Sequence, residues 1–174
     1  MIKTIYLANI LEGFYRHYQL LPVKARIFQS RYDALEGNRS LLYGQDNKVI
    51  LTSYPIQPNH FNHFCQLMGW KKVFNLFPSH PSSSLCEDVL NDKKLNHQVE
   101  EIIKKNQGVS LIPYRQTPEF YSLIKNFAEK KLSFTNARAA STPLAAMTKP
   151  PLTHGGSFRA ALTRIIHDMH KENK

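Results

Sequence analysis

The sequence predicts an α/β domain built on a short parallel sheet, and three observations carry that prediction. Val49-Ile50-Leu51 is apolar at consecutive positions, without alternation, so both faces of that strand should be covered. The run breaks into Thr52-Ser53-Tyr54-Pro55-Ile56-Gln57-Pro58, where two prolines forbid a continuing central ladder and the chain must leave the sheet. From there strand-like and helix-like stretches alternate, the order that right-handed crossovers in one sheet require. The expected architecture is a Rossmann-like three-layer domain with an N-terminal helical hairpin and a C-terminal helix.

The elements follow in chain order. Ile2, Ile5, Tyr6, Ile10 and Phe14 recur at spacings of three and four, predicting a helix that ends at Leu20-Leu21-Pro22. A second helix is expected over Val23 to Leu35, stopped by Gly37-Asn38, and the two make the hairpin. Gly44-Gln45-Asp46-Asn47 is turn chemistry before the strand at Val49. After the Pro58 loop, Asn59 is the expected cap of a helix through Met68, and Gly69 ends it. Val73 to Phe77 reads as a second strand and leads into the polar run His80-Pro81-Ser82-Ser83-Ser84. Ser83 or Ser84 should cap a short helix, and Leu95 to Lys105 a further one. Val109 to Pro113 supplies a third strand, and Thr117-Pro118-Glu119 has the cap, first-turn proline and early acid of a helix start. Leu132 to Thr135 fits a fourth short strand, Ala137 to His154 an extended loop, and Ser157 to His170 a last helix. This divides the chain into a hairpin over 1–47, a core over 48–136, and a loop with its helix over 137–174.

Length and charge set outer limits. The chain has 174 residues, 42% of them apolar, enough for one domain and its core. Lys and Arg number 23 against 13 acids, for a formal charge of +10, which creates a field attractive to nucleic acid or another acidic partner. No recognised nucleic-acid motif accompanies that field. Two cysteines give no disulfide framework, and a reducing cytoplasm is expected. No apolar segment approaches the roughly 20 residues that span a bilayer, so no membrane role is expected.

Several residues could carry chemistry. Thr52, Ser53 and Gln57 follow a strand's carboxyl end, where hydroxyl and amide groups suit a carboxylate or phosphate; the alternative is that the hydroxyls satisfy loop backbone. Arg115 and Gln116 hold the matching position after the third strand, where the guanidinium can clamp an anion or lie in solvent. The Gly155-Gly156-Ser157 turn offers Gly156 and Ser157 as a minimal anion nest or a plain helix cap. His60, His63 and Cys65 have part of a metal-ligand spacing without completing a tetrahedral set, so no metal is assigned. His167 and His170 repeat that spacing, where helical geometry suffices as an explanation. Cys86 follows a serine cap, where the helix dipole could activate a thiol or a small residue could simply be buried. No catalytic residue is assigned.

V-I-L-T-S-Y-P-I-Q-P (49–58), F-P-S-H-P-S-S-S-L (77–85) and V-S-L-I-P-Y-R-Q-T-P-E-F (109–120) resemble the pre-ATP-grasp domain of ATP-grasp ligases related to peptide ligases. The resemblance covers about Lys48 to Phe127. Thr153-His154-Gly155-Gly156-Ser157-Phe158-Arg159 is similar to the lysine, small-residue and arginine pattern that leads into the family's next domain, with histidine in the lysine's place and one residue added. The resemblance implies a substrate-side, structural domain of a carboxylate-amine (peptide) ligase that works beside an ATP-grasp domain in cis or in trans. ATP and magnesium would belong to that other domain, with no cofactor in this chain and no ligation by these residues alone. The chain is then expected to be a fragment of a ligase, or a domain of that type serving alone. The alternative class is a freestanding basic module for nucleic acid or another anionic partner.

Overall fold

The structure, a computed structural model, describes residues 1–136. The expected Ala137 to His154 loop, the Gly155-Gly156-Ser157 turn, the Thr153 to Arg159 pattern and the Ser157 to His170 helix lie outside the described residues.

Five strands form one parallel sheet: β1 Thr4–Leu7, β2 Lys48–Leu51, β3 Val73–Leu76, β4 Val109–Pro113 and β5 Phe134–Asn136. Their spatial order is β3-β2-β1-β4-β5. Among the described residues six helices connect them: α1 Ile10–Tyr18, α2 Val23–Glu36, α3 Pro58–Leu67, α4 Leu85–Asn91, α5 Lys93–Lys105 and α6 Pro118–Glu129, with a 3-10 helix at Gly37–Leu42. This is the Rossmann-like three-layer α/β fold that the alternation of elements predicts.

The central strand was hidden in the sequence. Ile5 lies opposite Val49 on β2 and Leu111 on β4, so the residues expected to open the first helix instead form the middle of the sheet. The reason is geometric. Ile5, Tyr6, Leu7 and Ala8 are all buried, and a strand covered on both faces reads as a continuous apolar run that also satisfies helical spacing when Ile2 and Ile10 are counted with it. The hairpin survives in shortened form, with α1 starting at Ile10 and Tyr18 donating its hydroxyl to Asp33 across it.

Local signals set the other boundaries. Thr117 caps α6 by accepting the amide of Phe120 at 3.1 Å, with Pro118 at the first helical position. Ser84 caps α4 through the amide of Glu87 at 3.2 Å. Asp92 ends α4 and caps α5, accepting from Lys94 and Leu95 at 3.1 and 3.0 Å. Three bonds from backbone amides, including Ser79 N, hold the Asp92 carboxyl down at about 2. α3 departs from expectation. Its cap position is Gln57, with Pro58 rather than Asn59 opening the helix, because proline's fixed φ suits the first turn and its missing N–H is unused there.

Among the described residues, an apolar cluster lies on each face of the sheet. On one face Ile5, Leu7, Val49, Leu51 and Leu111 meet Val89, Val99, Ile103, Phe120 and Phe127 from α4, α5 and α6. Each of those buried side chains contributes about 1.5–3 kcal/mol of transfer free energy. On the other face Leu41, Ile50 and Ile56 pack with Phe61, Phe64, Trp70 and Val73. Lys48 opens β2 beneath this second cluster at 1% exposure. Its ammonium donates to the carbonyls of Leu41 and Tyr43 at 2.6 and 2.7 Å and sits 3.5 Å from the Trp70 ring centroid. The buried lysine thereby ties off the end of the 3-10 helix. Gly44 follows at φ +65, and a Cβ there would collide with the Tyr6 hydroxyl. No helix among the described residues is long and apolar enough to cross a membrane.

Candidate functional site

In this strand order the connections from β1 and β4 run to opposite sides, so the topological switch lies between those two carboxyl ends. Open α/β sheets bind ligands in the crevice there. In this chain the crevice is closed by its own side chains. Asn9, directly after β1, donates to the carbonyl of Arg115 at 2.8 Å and accepts the amide of Arg115 at 3.1 Å.

Glu12, in the first turn of α1, fills what remains. Its carboxylate accepts from Asn9 Nδ2 at 2.9 Å, Ser84 Oγ at 2.9 Å, the Cys86 amide at 2.9 Å, and the Thr117 hydroxyl. The glutamate is 8% exposed, yet four donors satisfy it, one from the cap of its own helix and three from the starts of α4 and α6. An internal carboxylate thus occupies the place where a Rossmann-type site would receive an anion. Sequence reading missed Asn9 and Glu12, because their functional relation needs β1 to end at Leu7; the Asn-x-x-Glu spacing behind a strand was the available signal.

Cys86 belongs to this closed knot. The thiol is fully buried, and its desolvation together with the Glu12 carboxylate holds its pKa well above the ordinary value. Of the two readings of Cys86, activation by the helix start is overturned, because burial and a neighbouring negative charge outweigh a short helix's dipole.

An open cleft lies beside the knot. It has a volume of about 710 Å³, within the range of small-molecule sites, and is walled by α1, α2 and the loops that follow β2 and β3. Tyr15 and Tyr54 supply aromatic surface, Leu11 and Leu35 aliphatic surface, and Ser82 and Ser83 hydroxyls. Arg31 is the one cation among the lining residues, and none of them is an acid. The serine loop is held from below: the Ser82 amide donates to Asp88 at 2.9 Å, and Ser79 N to Asp92 at 2.8 Å. Burial keeps the Asp88 carboxyl above its usual value.

The sequence-derived candidates fall in two groups at this edge. Thr52 is fully buried, donates to the Tyr54 carbonyl at 2.7 Å and accepts from Asn75 at 2.8 Å, so its hydroxyl shapes the cleft loop from beneath. Ser53 is buried beside it, and Gln57 is exposed at the start of α3. Arg115 lies across β1 from that loop, donating to the Gly13 carbonyl at 3.1 Å with its guanidinium 4.7 Å from the Phe14 ring centroid. Glycine at position 13 permits this approach, since a Cβ would stand 2.6 Å from Arg115 Cδ. Gln116 is exposed and accepts from the Tyr121 hydroxyl at 3.1 Å. Gly156 and Ser157 lie outside the described residues. His60 and His63 both pack on Phe64, at 4.7 and 5.6 Å between ring centroids. Among the described residues no three metal-ligating side chains converge. Compared with family models, with curated proteins and with solved structures, the chain matches none, so its fold and its cleft are what define it.

Proposed function

We propose that this chain is the substrate-side domain of an ATP-dependent carboxylate-amine ligase, resembling the pre-ATP-grasp type, and that its cleft receives the acid substrate. One observation carries the reading. Two of the three motifs behind that resemblance, Val49 to Pro58 and Phe77 to Leu85, line one cleft together, the first through Tyr54 and Pro55 and the second through Pro81, Ser82 and Ser83. The third motif, Val109 to Phe120, lies outside the cleft lining and carries Thr117, whose hydroxyl donates to Glu12 in the knot beside the cleft.

The lining also favours an acid. A carboxylate entering the cleft meets Arg31 and serine hydroxyls and no opposing charge, while tyrosine and leucine surface accepts an apolar or aromatic body. The domain holds and orients; the ATP and magnesium that activate the acid belong to an ATP-grasp partner in cis or in trans. The second reading, a basic module for nucleic acid or another anionic partner in the cytoplasm, is favoured by the formal charge of +10.

Amide-resolved NMR titration with N-acetylated amino acids and dipeptides tests the first reading. Shifts are expected at Tyr54, Ser82, Ser83 and Leu35, with Arg31→Gln weakening binding about tenfold, the worth of one charge-assisted contact. Equal affinity for the corresponding uncharged amides, or no response in the cleft, would overturn it. Tight binding of an oligonucleotide that falls steeply with salt supports the second reading instead.

A further inference from the structure

α2 has two faces with opposite fates. Asp33 and Ala34 are its buried residues, and half-buried Arg26, Gln29 and Ser30 share their side. Lys24, Ile27, Phe28, Arg31 and Leu35 recur at spacings of three and four, and with Tyr32 they form the outward face, whose Arg31 and Leu35 edge also borders the cleft. Ile27 is 61% exposed, Phe28 70%, Tyr32 47% and Leu35 50%, and the two aromatic rings stack at 6.4 Å. Their open apolar surface totals several hundred Å², the size at which an exposed patch marks a binding surface.

The charges around that surface choose its partner. Lys24 and Arg31 stand on this face with no carboxylate between them, while Glu36 at the helix end pairs with Arg39 at 2.7 Å. We infer that the outward face of α2 is a docking surface for an acidic amphipathic helix of a protein partner. Such a helix lays its own apolar stripe over Ile27, Phe28 and Tyr32 and sets flanking carboxylates against Lys24 and the basic edge of the face at Arg31, which borders the cleft. A second copy of this chain fits worse, because a two-fold contact through this face sets lysine and arginine against themselves. Nucleic acid offers phosphates for the cations and leaves the aliphatic side chains desolvated without a matching surface.

The test uses the full chain and a synthetic probe. A peptide of about 20 residues, long enough to be helical, carries leucine along one stripe and glutamate elsewhere; its control replaces every glutamate by glutamine. Fluorescence anisotropy should show binding of the acidic peptide that weakens about tenfold in Phe28→Ser. Lys24→Glu should weaken it several-fold at low salt and much less at high salt. Both substitutions lie on the exposed face, and an unchanged circular-dichroism melt verifies folding. Equal binding of the glutamine peptide, or indifference to Phe28→Ser, would overturn the inference. So would binding to phosphatidylserine vesicles in place of the peptide, or a concentration-dependent dimer that Phe28→Ser abolishes.

Discussion

Asn9 and Arg115 exchange two hydrogen bonds, side-chain amide to backbone carbonyl at 2.8 Å and backbone amide to side-chain oxygen at 3.1 Å. One asparagine thereby imitates the next rung of the sheet where β1 and β4 diverge. Asn9→Ala leaves a part-buried carbonyl and a part-buried amide of Arg115 without their partner, and an expected loss of about 1–2 kcal/mol follows from two weakened groups. Urea unfolding with an unchanged slope measures it; a loss under about 0.5 kcal/mol, the level of an ordinary surface change, would refute the account.

Glu12 is satisfied by four donors, so truncation and isosteric replacement should differ. Glu12→Ala orphans the hydroxyls of Ser84 and Thr117, the Cys86 amide and part of Asn9, and is expected to cost about 3–5 kcal/mol, roughly 1 kcal/mol for each neutral donor left unmet. Glu12→Gln keeps the shape and one accepting oxygen, while its NH₂ faces former donors, so a smaller loss is expected. Comparing their melting temperatures checks the order.

Burial pushes the Lys48 ammonium down to about 8 against the pull of two carbonyls and an indole face. Between pH 8 and the ordinary lysine value the unfolded chain holds a proton that the folded chain has released, so stability rises with pH across that window. Below about pH 8 the burden of the charged form is fully present. Lys48→Met should abolish the rise, which denaturant midpoints at pH 7.5 and 9.5 will reveal; an identical rise in the variant refutes the assignment.

Tyr18 behaves with the opposite sign. Burial, and then its hydrogen bond to Asp33, raise the phenol to about 12. Between pH 10 and 12 the folded chain keeps a proton that the unfolded chain loses, so this contribution, complete below pH 10, disappears as pH climbs. Tyr18→Phe should flatten that part of the decline and cost about 1 kcal/mol at neutral pH, the worth of the lost bond. Ultraviolet titration of tyrosine ionisation follows it directly.

The two thiols should separate in the native chain. Cys65 is partly exposed and Cys86 fully buried with its ionisation suppressed. Burial raises the Cys65 thiol too, so at mildly alkaline pH a thiol reagent is expected to modify Cys65 in the native chain and Cys86 only on unfolding. Mass spectrometry of early-time digests distinguishes them, and prompt labelling of Cys86 would contradict the closed knot.

What the sequence settled by itself were features whose causes are local. Thr117-Pro118-Glu119 and the Ser83-Ser84 pair mark helix starts because capping chemistry acts within one turn, with the structure choosing Ser84, and Val49 to Leu51 announces a strand covered on both faces because its neighbours in sequence cannot cover it. The alternation of such pieces was enough for the layered parallel fold. Tertiary structure decided the rest. Whether Ile5 to Leu7 coils or extends depends on β2 and β4, about 40 and 100 residues distant, offering open edges for it to pair with. The filling of the switch crevice depends on Glu12 meeting Ser84, Cys86 and Thr117, contacts made across separations of 72, 74 and 105 residues. No periodicity records such meetings, because a buried charge chooses its donors in space, after the chain has already folded back on itself.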